Sequence, residues 1–302
     1  MKKEIIDYFN SISGKSVKTL TVVKKLSLLD GEVARLFLEK MKDEKGDAAG
    51  CFKICSLFKE QGFALLKSKK VYEKHDIFRI NRNYDVKLNL NKQLLNDGAC
   101  ITKYHSIFFA DKRYIELQQL ALGLPIAIIQ DRTFANKLGM RLNDCYGEMF
   151  KYNLARQQEI LKLPQKAFDD LFNTHLIFRK FNCRLYDCHC ENLLVSKNGF
   201  TVVDVDYGEL LEQQRFDKPK ETDAYVSYFI KPFSFACHPM FTKEQTDELV
   251  KNNIKILQRL VKAVEHKNIE FNLEKQSLFV SAMMGGSIKK YEKALTPIFK
   301  KQ

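Results

Sequence analysis

Two short apolar runs, Leu193-Leu194-Val195 and Thr201-Val202-Val203, are joined by Lys197-Asn198-Gly199, and this arrangement constrains the chain more than any other feature. A connection that short, with Asn and Gly able to take positive φ, predicts a β-hairpin. Pairing of the runs must bring Asn192, just before the first, close to Asp204, just after the second. An amide oxygen beside a carboxylate makes a hard-oxygen site of the kind magnesium uses while waters and substrate phosphates complete its shell. Asp187 lies on the loop entering the hairpin, where a carboxylate can orient an acceptor hydroxyl. These are the parts that phosphoryl transfer asks of a protein, which mainly positions groups and neutralises charge. A surface hairpin with incidental acids is the plainer alternative, but burying Asp and Asn on adjacent strand ends without use is costly.

Periodicity along the rest of the chain predicts an α+β, two-lobed arrangement. Residues 1–72 read as a helical N-terminal extension. Val33, Leu36, Phe37 and Met41 form one stripe, and a second helical piece runs from Cys51 to Lys67 after a break at Lys45-Gly46-Asp47. Residues 73–147 read as a small antiparallel lobe, with strands at 76–80, 85–90 and 99–104. Asn81-Arg82-Asn83 and Asn96-Asp97-Gly98 supply its turns. A helix is expected over 111–122, with Tyr114, Leu117, Leu120 and Ala121 on its stripe, followed by strands at 126–130 and 140–143. Residues 148–302 read as a mainly helical lobe interrupted by the 193–203 hairpin.

Asp187-Cys188-His189-Cys190-Glu191-Asn192, followed by Val202-Val203-Asp204, resembles the catalytic loop and metal-binding aspartate of the protein-kinase-like superfamily. With His189 two places after the Asp, the loop is similar to the atypical branches, the aminoglycoside and choline phosphotransferases and the bacterial lipopolysaccharide core kinases. Val203-Asp204-Val205-Asp206-Tyr207-Gly208-Glu209-Leu210 is similar to the Ile-Asp-Phe-Asp-x-Gly-x-Leu pattern of the lipopolysaccharide sugar kinases. The resemblance implies a bilobal protein-kinase-like fold using ATP and Mg2+. It implies Asp187 as the catalytic aspartate, with His189 beside it, and Asn192 and Asp204 as metal ligands. Asp206 is a rival to Asp204, because Asp206-Tyr207-Gly208 mimics the Asp-Phe-Gly of the family.

A kinase-like site also needs a lysine for the nucleotide phosphates and a glutamate to hold it. Lys103, at the end of Ala99-Cys100-Ile101-Thr102-Lys103, is the first choice, with Glu116 as partner; Lys53 is a weaker candidate in a stretch that reads as helix. Asn81-Arg82-Asn83-Tyr84 holds no glycine where protein kinases carry a Gly-rich phosphate loop, so Arg82 is a candidate phosphate contact instead. No Ala-Pro-Glu follows Asp204. Both departures point away from ordinary protein kinases.

The net charge of +13 reads either as a Lys-rich solvated surface or as attraction to polyanions, and charge alone does not choose among nucleotide phosphates, acidic lipid or glycolipid headgroups and RNA. Nucleic acid is not expected as a partner. The C-terminal Ser287–Lys301, basic with interleaved apolar residues, is a candidate for lying on an anionic membrane face. Eight cysteines without a spaced framework suit reduced thiols in a cytosol. Cys183, Cys188, His189, Cys190 and Cys237-His238 invite a zinc reading, but their spacing matches no common ligand pairing. The chain is therefore expected to be a cytoplasmic kinase, in part peripheral to an inner membrane, with secretion as an effector left open. Its acceptor is a hydroxyl, on a lipopolysaccharide-type sugar or on a protein. A pseudokinase scaffold is the alternative from a different class.

Overall fold

The computed structural model describes residues 3–49, 53–73, 86–181, 183, 185, 188–205 and 222–299. The chain divides into two compact units, one built from Met1–Asn96 with Thr102–Ala121 and the other from Asp97–Ile101 with Leu122–Gln302. Both mix helix and sheet.

The first unit opens with helices α1 (Lys3–Ser11), α2 (Thr19–Leu29) and α3 (Gly31–Lys42), with the short strand β1 (Ser16–Val17) between the first two. Strands β2 (Ala48–Ala49), β3 (Lys53–Phe58) and β4 (Phe63–Val71) follow, then helix α4 over residues 86–96, then β5 (Tyr104–Ala110) and β6 (Arg113–Gln119). They form a six-stranded sheet in the order β1-β5-β6-β4-β3-β2. The β1–β5 pair is parallel and the others are antiparallel. Alternation decides which side chains meet the helices. Phe58, Phe63, Leu65, Phe108, Ile115 and Leu117 pack against Ile5, Phe9, Val22, Leu26, Val33 and Phe37, each full burial contributing about 1.5–3 kcal/mol. Asp30 starts α3 by accepting from the Glu32 and Val33 amides. Its far end is closed by Lys67 of β4, whose buried ammonium donates to the carbonyls of Met41 (2.8 Å) and Asp43 (2.5 Å). That contact satisfies helix-end carbonyls and lets a charge sit inside the unit.

The second unit contains β7 (Leu124–Pro125), α5 (Asp131–Leu138), α6 (Cys145–Lys162), α7 (Gln165–Lys180), β8 (Leu193–Ser196) and β9 (Gly199–Val202). Helices α8 (Thr222–Ile230), α9 (Lys243–Glu265), α10 (Ser277–Met283) and α11 (Glu292–Phe299) complete it. Its sheet is β7-β8-β9, antiparallel throughout. Phe200 of β9 meets Phe168 of α7 and Phe233 edge-on, which seats the hairpin on the helical core. Buried Gln157 and Asn253 join α6 to α9 through a 2.6 Å hydrogen bond, and a capping box of Thr242 and Gln245 starts α9. Among the described residues no helix is long and apolar enough to cross a membrane.

Several expected elements differ. Residues 53–71 form two strands rather than the second half of a helical extension, and they belong to the same sheet as 104–119. Their burial alternates strictly over Lys53–Phe58, a period of two that the mixed Lys and Cys content conceals. Residues 111–122 are not a helix. Asp111 (φ 46°) and Lys112 (φ 65°) form a two-residue turn between paired Ala110 and Arg113, and β6 runs on from it. The Tyr114/Leu117 spacing suggested a helix, but Ile115 and Leu117 face one way and Glu116 and Gln118 the other. Conversely, 86–90 is helical, because Leu90 and Leu94 share a buried face one turn apart. Within 99–104 only Ile101 makes an isolated bridge before β5 begins. Residues 126–130 form no strand, the two-residue β7 lying just before them, and 140–143 leads into a short 3-10 turn. The strand expected at 76–80 lies outside the described residues. The 193–203 hairpin and the helices after it stand as expected.

Candidate functional site

Register fixes the hairpin end. Leu193 pairs with Val202 and Ser196 with Gly199, and the Val203 amide donates to the Asn192 carbonyl at 2.9 Å. Asn192 thus lies opposite Val203, and Asp204 follows one residue on, so both leave the ladder at the same end. Asp204 has φ 52°, in the left-handed region. Asp reaches that region more readily than most residues, yet it costs free energy, and such outliers concentrate at functional sites. Asp204 and Asn192 are both half-buried.

The loop entering the hairpin is tied down at several points. The Cys183 amide donates to Phe178 at the end of α7, and the Cys183 carbonyl accepts from the buried Tyr225 hydroxyl at 3.2 Å. The Asn192 amide donates to the His189 carbonyl at 3.0 Å. His189 Nδ1 accepts from the Glu191 amide at 3.2 Å, so the neutral ring carries its proton on Nε2. Glu191 reaches outward and accepts from the Ile129 and Gln130 amides, both at 3.2 Å, while Ile126 donates to the Cys190 and Leu193 carbonyls. The chain at 123–130 thus braces the motif loop. The brace needs Gly123: at φ +113° a Cβ there would stand 2.3 Å from the Val195 carbonyl oxygen. On the other side of the hairpin, Val202 donates to the Cys100 carbonyl at 2.7 Å, and Cys100 donates to Thr174 of α7 at 2.9 Å.

Cys183, Cys188 and Cys190 are buried, and burial pushes the Cys190 thiol well above its ordinary range. That makes a neutral packing group rather than a thiolate ligand or nucleophile. Among the described residues no three His, Cys, Asp or Glu side chains gather to hold a metal ion. Asn192 and Asp204 are the described residues that could offer a magnesium an amide oxygen and a carboxylate, an ion that takes the rest of its shell from phosphates and water.

The first unit holds a second polar group on the sheet face opposite α1–α3. Lys53 of β3 and Glu116 of β6 form an ion pair at 3.2 Å across β4, with the Glu116 side chain 4% exposed and that of Lys53 22%. Gln118 donates to the same Glu116 oxygen at 3.2 Å, and Thr102 donates to Gln118 at 3.3 Å. Lys103, expected to be Glu116's partner, lies in the irregular stretch before β5 with its side chain exposed. The ion pair of Glu116 is with Lys53, and Glu116 sits on a strand rather than a helix. Pairing across three strands gives no local sequence signal, and because the burial alternation of 53–58 is not matched in polarity, nothing local marks Lys53. The role of Glu191 as a brace has no sequence signal, since its partners are backbone amides in another segment. Asp187, Asp206 and Arg82 lie outside the described residues.

No known protein family and no curated protein matches the sequence.

Proposed function

We propose that the chain is an ATP- and magnesium-dependent phosphotransferase of protein-kinase-like build, acting on a hydroxyl acceptor. The observation that carries the proposal is the hairpin end, where Asn192, opposite Val203, leaves the ladder at the same end as an Asp204 held in a left-handed backbone conformation. The Lys53–Glu116 pair supports it, because a buried carboxylate steadying a part-exposed lysine is the other charged part phosphoryl transfer uses. Lys53 replaces Lys103 in that role.

Magnesium, held by Asn192 and Asp204, supplies neutralisation of the nucleotide phosphates, and ATP supplies the phosphoryl group. The chain's own residues do the positioning. Lys53, steadied by Glu116, neutralises phosphate charge. Asp187 orients the acceptor hydroxyl and takes its proton as the acceptor oxygen bonds to the γ-phosphorus and the bond to the ADP oxygen breaks. His189, with its proton on Nε2, is a hydrogen-bond donor beside that step. Asp206 stays the rival to Asp204. The acceptor favoured by the Asp204-x-Asp206-x-Gly208 pattern is a lipopolysaccharide-type sugar, with a protein hydroxyl second.

Transfer from γ-labelled ATP to a lipopolysaccharide-type glycolipid and to mixed protein tests this. Label on the glycolipid, lost in Asp187→Ala and Asp204→Ala, is the expected result. Label on protein alone assigns a protein kinase. Transfer to neither, with nucleotide binding retained, turns the reading to a pseudokinase scaffold, which the glycine-free Asn81-Arg82-Asn83-Tyr84 favours.

A further inference from the structure

We infer that the outward face of α2 docks on an anionic lipid surface, a role independent of the phosphotransfer reading. Helix α2 turns Thr19, Val22 and Leu26 into the core of the first unit. Its other side carries Leu20, 69% exposed, and Leu28, 80% exposed. Lys24 stands between them, at the i+4 position of a stripe that runs Leu20, Lys24, Leu28, and Lys25 is exposed beside it. The stretch from Tyr8 to Leu29 contains Lys15, Lys18, Lys24 and Lys25 and no Asp or Glu. A large apolar side chain left in water is ordinary when single. Two on one stripe of a helix whose only charges are positive is a directed arrangement.

The face is also held rigidly. The Thr19 amide at the start of α2 donates to Asp111 at 3.2 Å, and the Lys15 and Val17 carbonyls accept from the Phe109 and Asp111 amides of the neighbouring strand and its turn. Docking would cost little ordering entropy as a result. Charge complementarity selects an anionic partner, and the spacing selects lipid. A helix bound in a protein groove presents a continuous run of apolar anchors at i, i+3, i+4 and i+7. Here the leucines are two turns apart with an amine between them, so each inserts alone among headgroups while the lysine stems reach the phosphates.

Co-sedimentation of the full chain with vesicles of phosphatidylcholine, and of phosphatidylcholine mixed with phosphatidylglycerol, tests the inference. The protein is expected to bind the mixed vesicles, with affinity falling about fivefold for each lysine removed. Lys24→Glu/Lys25→Glu should therefore nearly abolish binding, and Leu20→Ser/Leu28→Ser should lower it by about tenfold. All four positions are exposed, so unchanged thermal unfolding of the variants is the control for folding. Lys289→Glu/Lys293→Glu, in the C-terminal basic segment, should leave binding as it was. No sedimentation with mixed vesicles, equal binding to both vesicle types, or loss only in the C-terminal variant would overturn the inference. So would tighter binding to a single-stranded oligonucleotide than to vesicles, lost in the lysine variant and kept in the leucine variant.

Discussion

The two polar constellations, one in each unit, are assembled by different means. Asn192 and Asp204 lie on one hairpin, and a single turn with a fixed register brings them to the same end. Lys53 and Glu116 are separated by 63 positions and meet only because β4 lies between β3 and β6. The first pair places its strain in the backbone, at the positive φ of Asp204. The second stores nothing in the backbone and instead satisfies Glu116 from two sides, by Lys53 and Gln118. Local register thus sets the hairpin end, whereas the charge on the sheet face is held by partners brought from neighbouring strands.

The largest expected effect strikes the hairpin end. Asp204→Ala should lower phosphoryl transfer by about 10³-fold or more, since preorganised charge at a reacting centre is the dominant contribution. A loss below about tenfold, with Asp206→Ala costing more, would move the metal to Asp206. On the sheet face, Lys53→Met should lower transfer by about 10²-fold, while Lys103→Met leaves it near wild type. Glu116→Ala adds a stability cost of about 1–3 kcal/mol by removing the buried carboxylate that holds Lys53 and accepts from Gln118, readable in urea unfolding. Equal effects at Lys103 and Lys53 would break the distinction between the two units' constellations.

Gly123→Ala sharpens the comparison from the side of the brace. Its Cβ would collide with the Val195 carbonyl at a φ that Ala avoids, so a loss of about 2–3 kcal/mol is expected. Transfer should fall with it, because β7 braces the strand that carries Asn192. An alanine variant as stable as wild type would contradict the observed approach of the two backbones.

The smallest effect is pH-dependent and again compares the units. Burial lowers the pKa of His105 to about 4 and that of His175 to about 3. A histidine depressed in the folded state binds its proton first when unfolded. Stability is therefore full above the unfolded pKa near 6.5 and declines as pH falls toward 4 and 3, by at most about 1.4 kcal/mol per pH unit for each group. His175 is fully buried in α7 with neither ring nitrogen hydrogen-bonded, so His175→Leu should flatten the acid limb of unfolding, and more than His105→Leu does. An unchanged limb in both would place the acid sensitivity elsewhere.

The hairpin and the candidate metal pair were legible in the sequence because their geometry is local: two β-prone runs, an Asn-Gly turn and acids just outside. The helical second half was legible in outline, since α7 and α9 keep mostly apolar residues on their buried faces, although the buried face of α6 includes Asn153 and Gln157. The first unit was misread where local signals conflict with the sheet. Lys53-Ile54-Cys55-Ser56-Leu57-Phe58 alternates faithfully in burial but not in polarity, since Ser56 is buried and Leu57 is not. Val86-Lys87-Leu88-Asn89-Leu90 alternates in polarity yet folds as helix, because Asn91 donates to the Thr102 carbonyl and accepts from the Tyr104 amide, both at 2.9 Å. Those are tertiary contacts, and they override a weak local period.

The most direct measurement is thermal unfolding with and without ATP and magnesium, in wild type and in Asp204→Ala. Ligand at about a hundredfold excess over Kd should stabilise the wild type by about 2.7 kcal/mol. The magnesium-dependent part of that gain should vanish in Asp204→Ala and persist in Lys103→Met. Stabilisation by nucleotide that is indifferent to magnesium and to Asp204, or no stabilisation of the wild type at all, would contradict a metal-nucleotide site at the hairpin end.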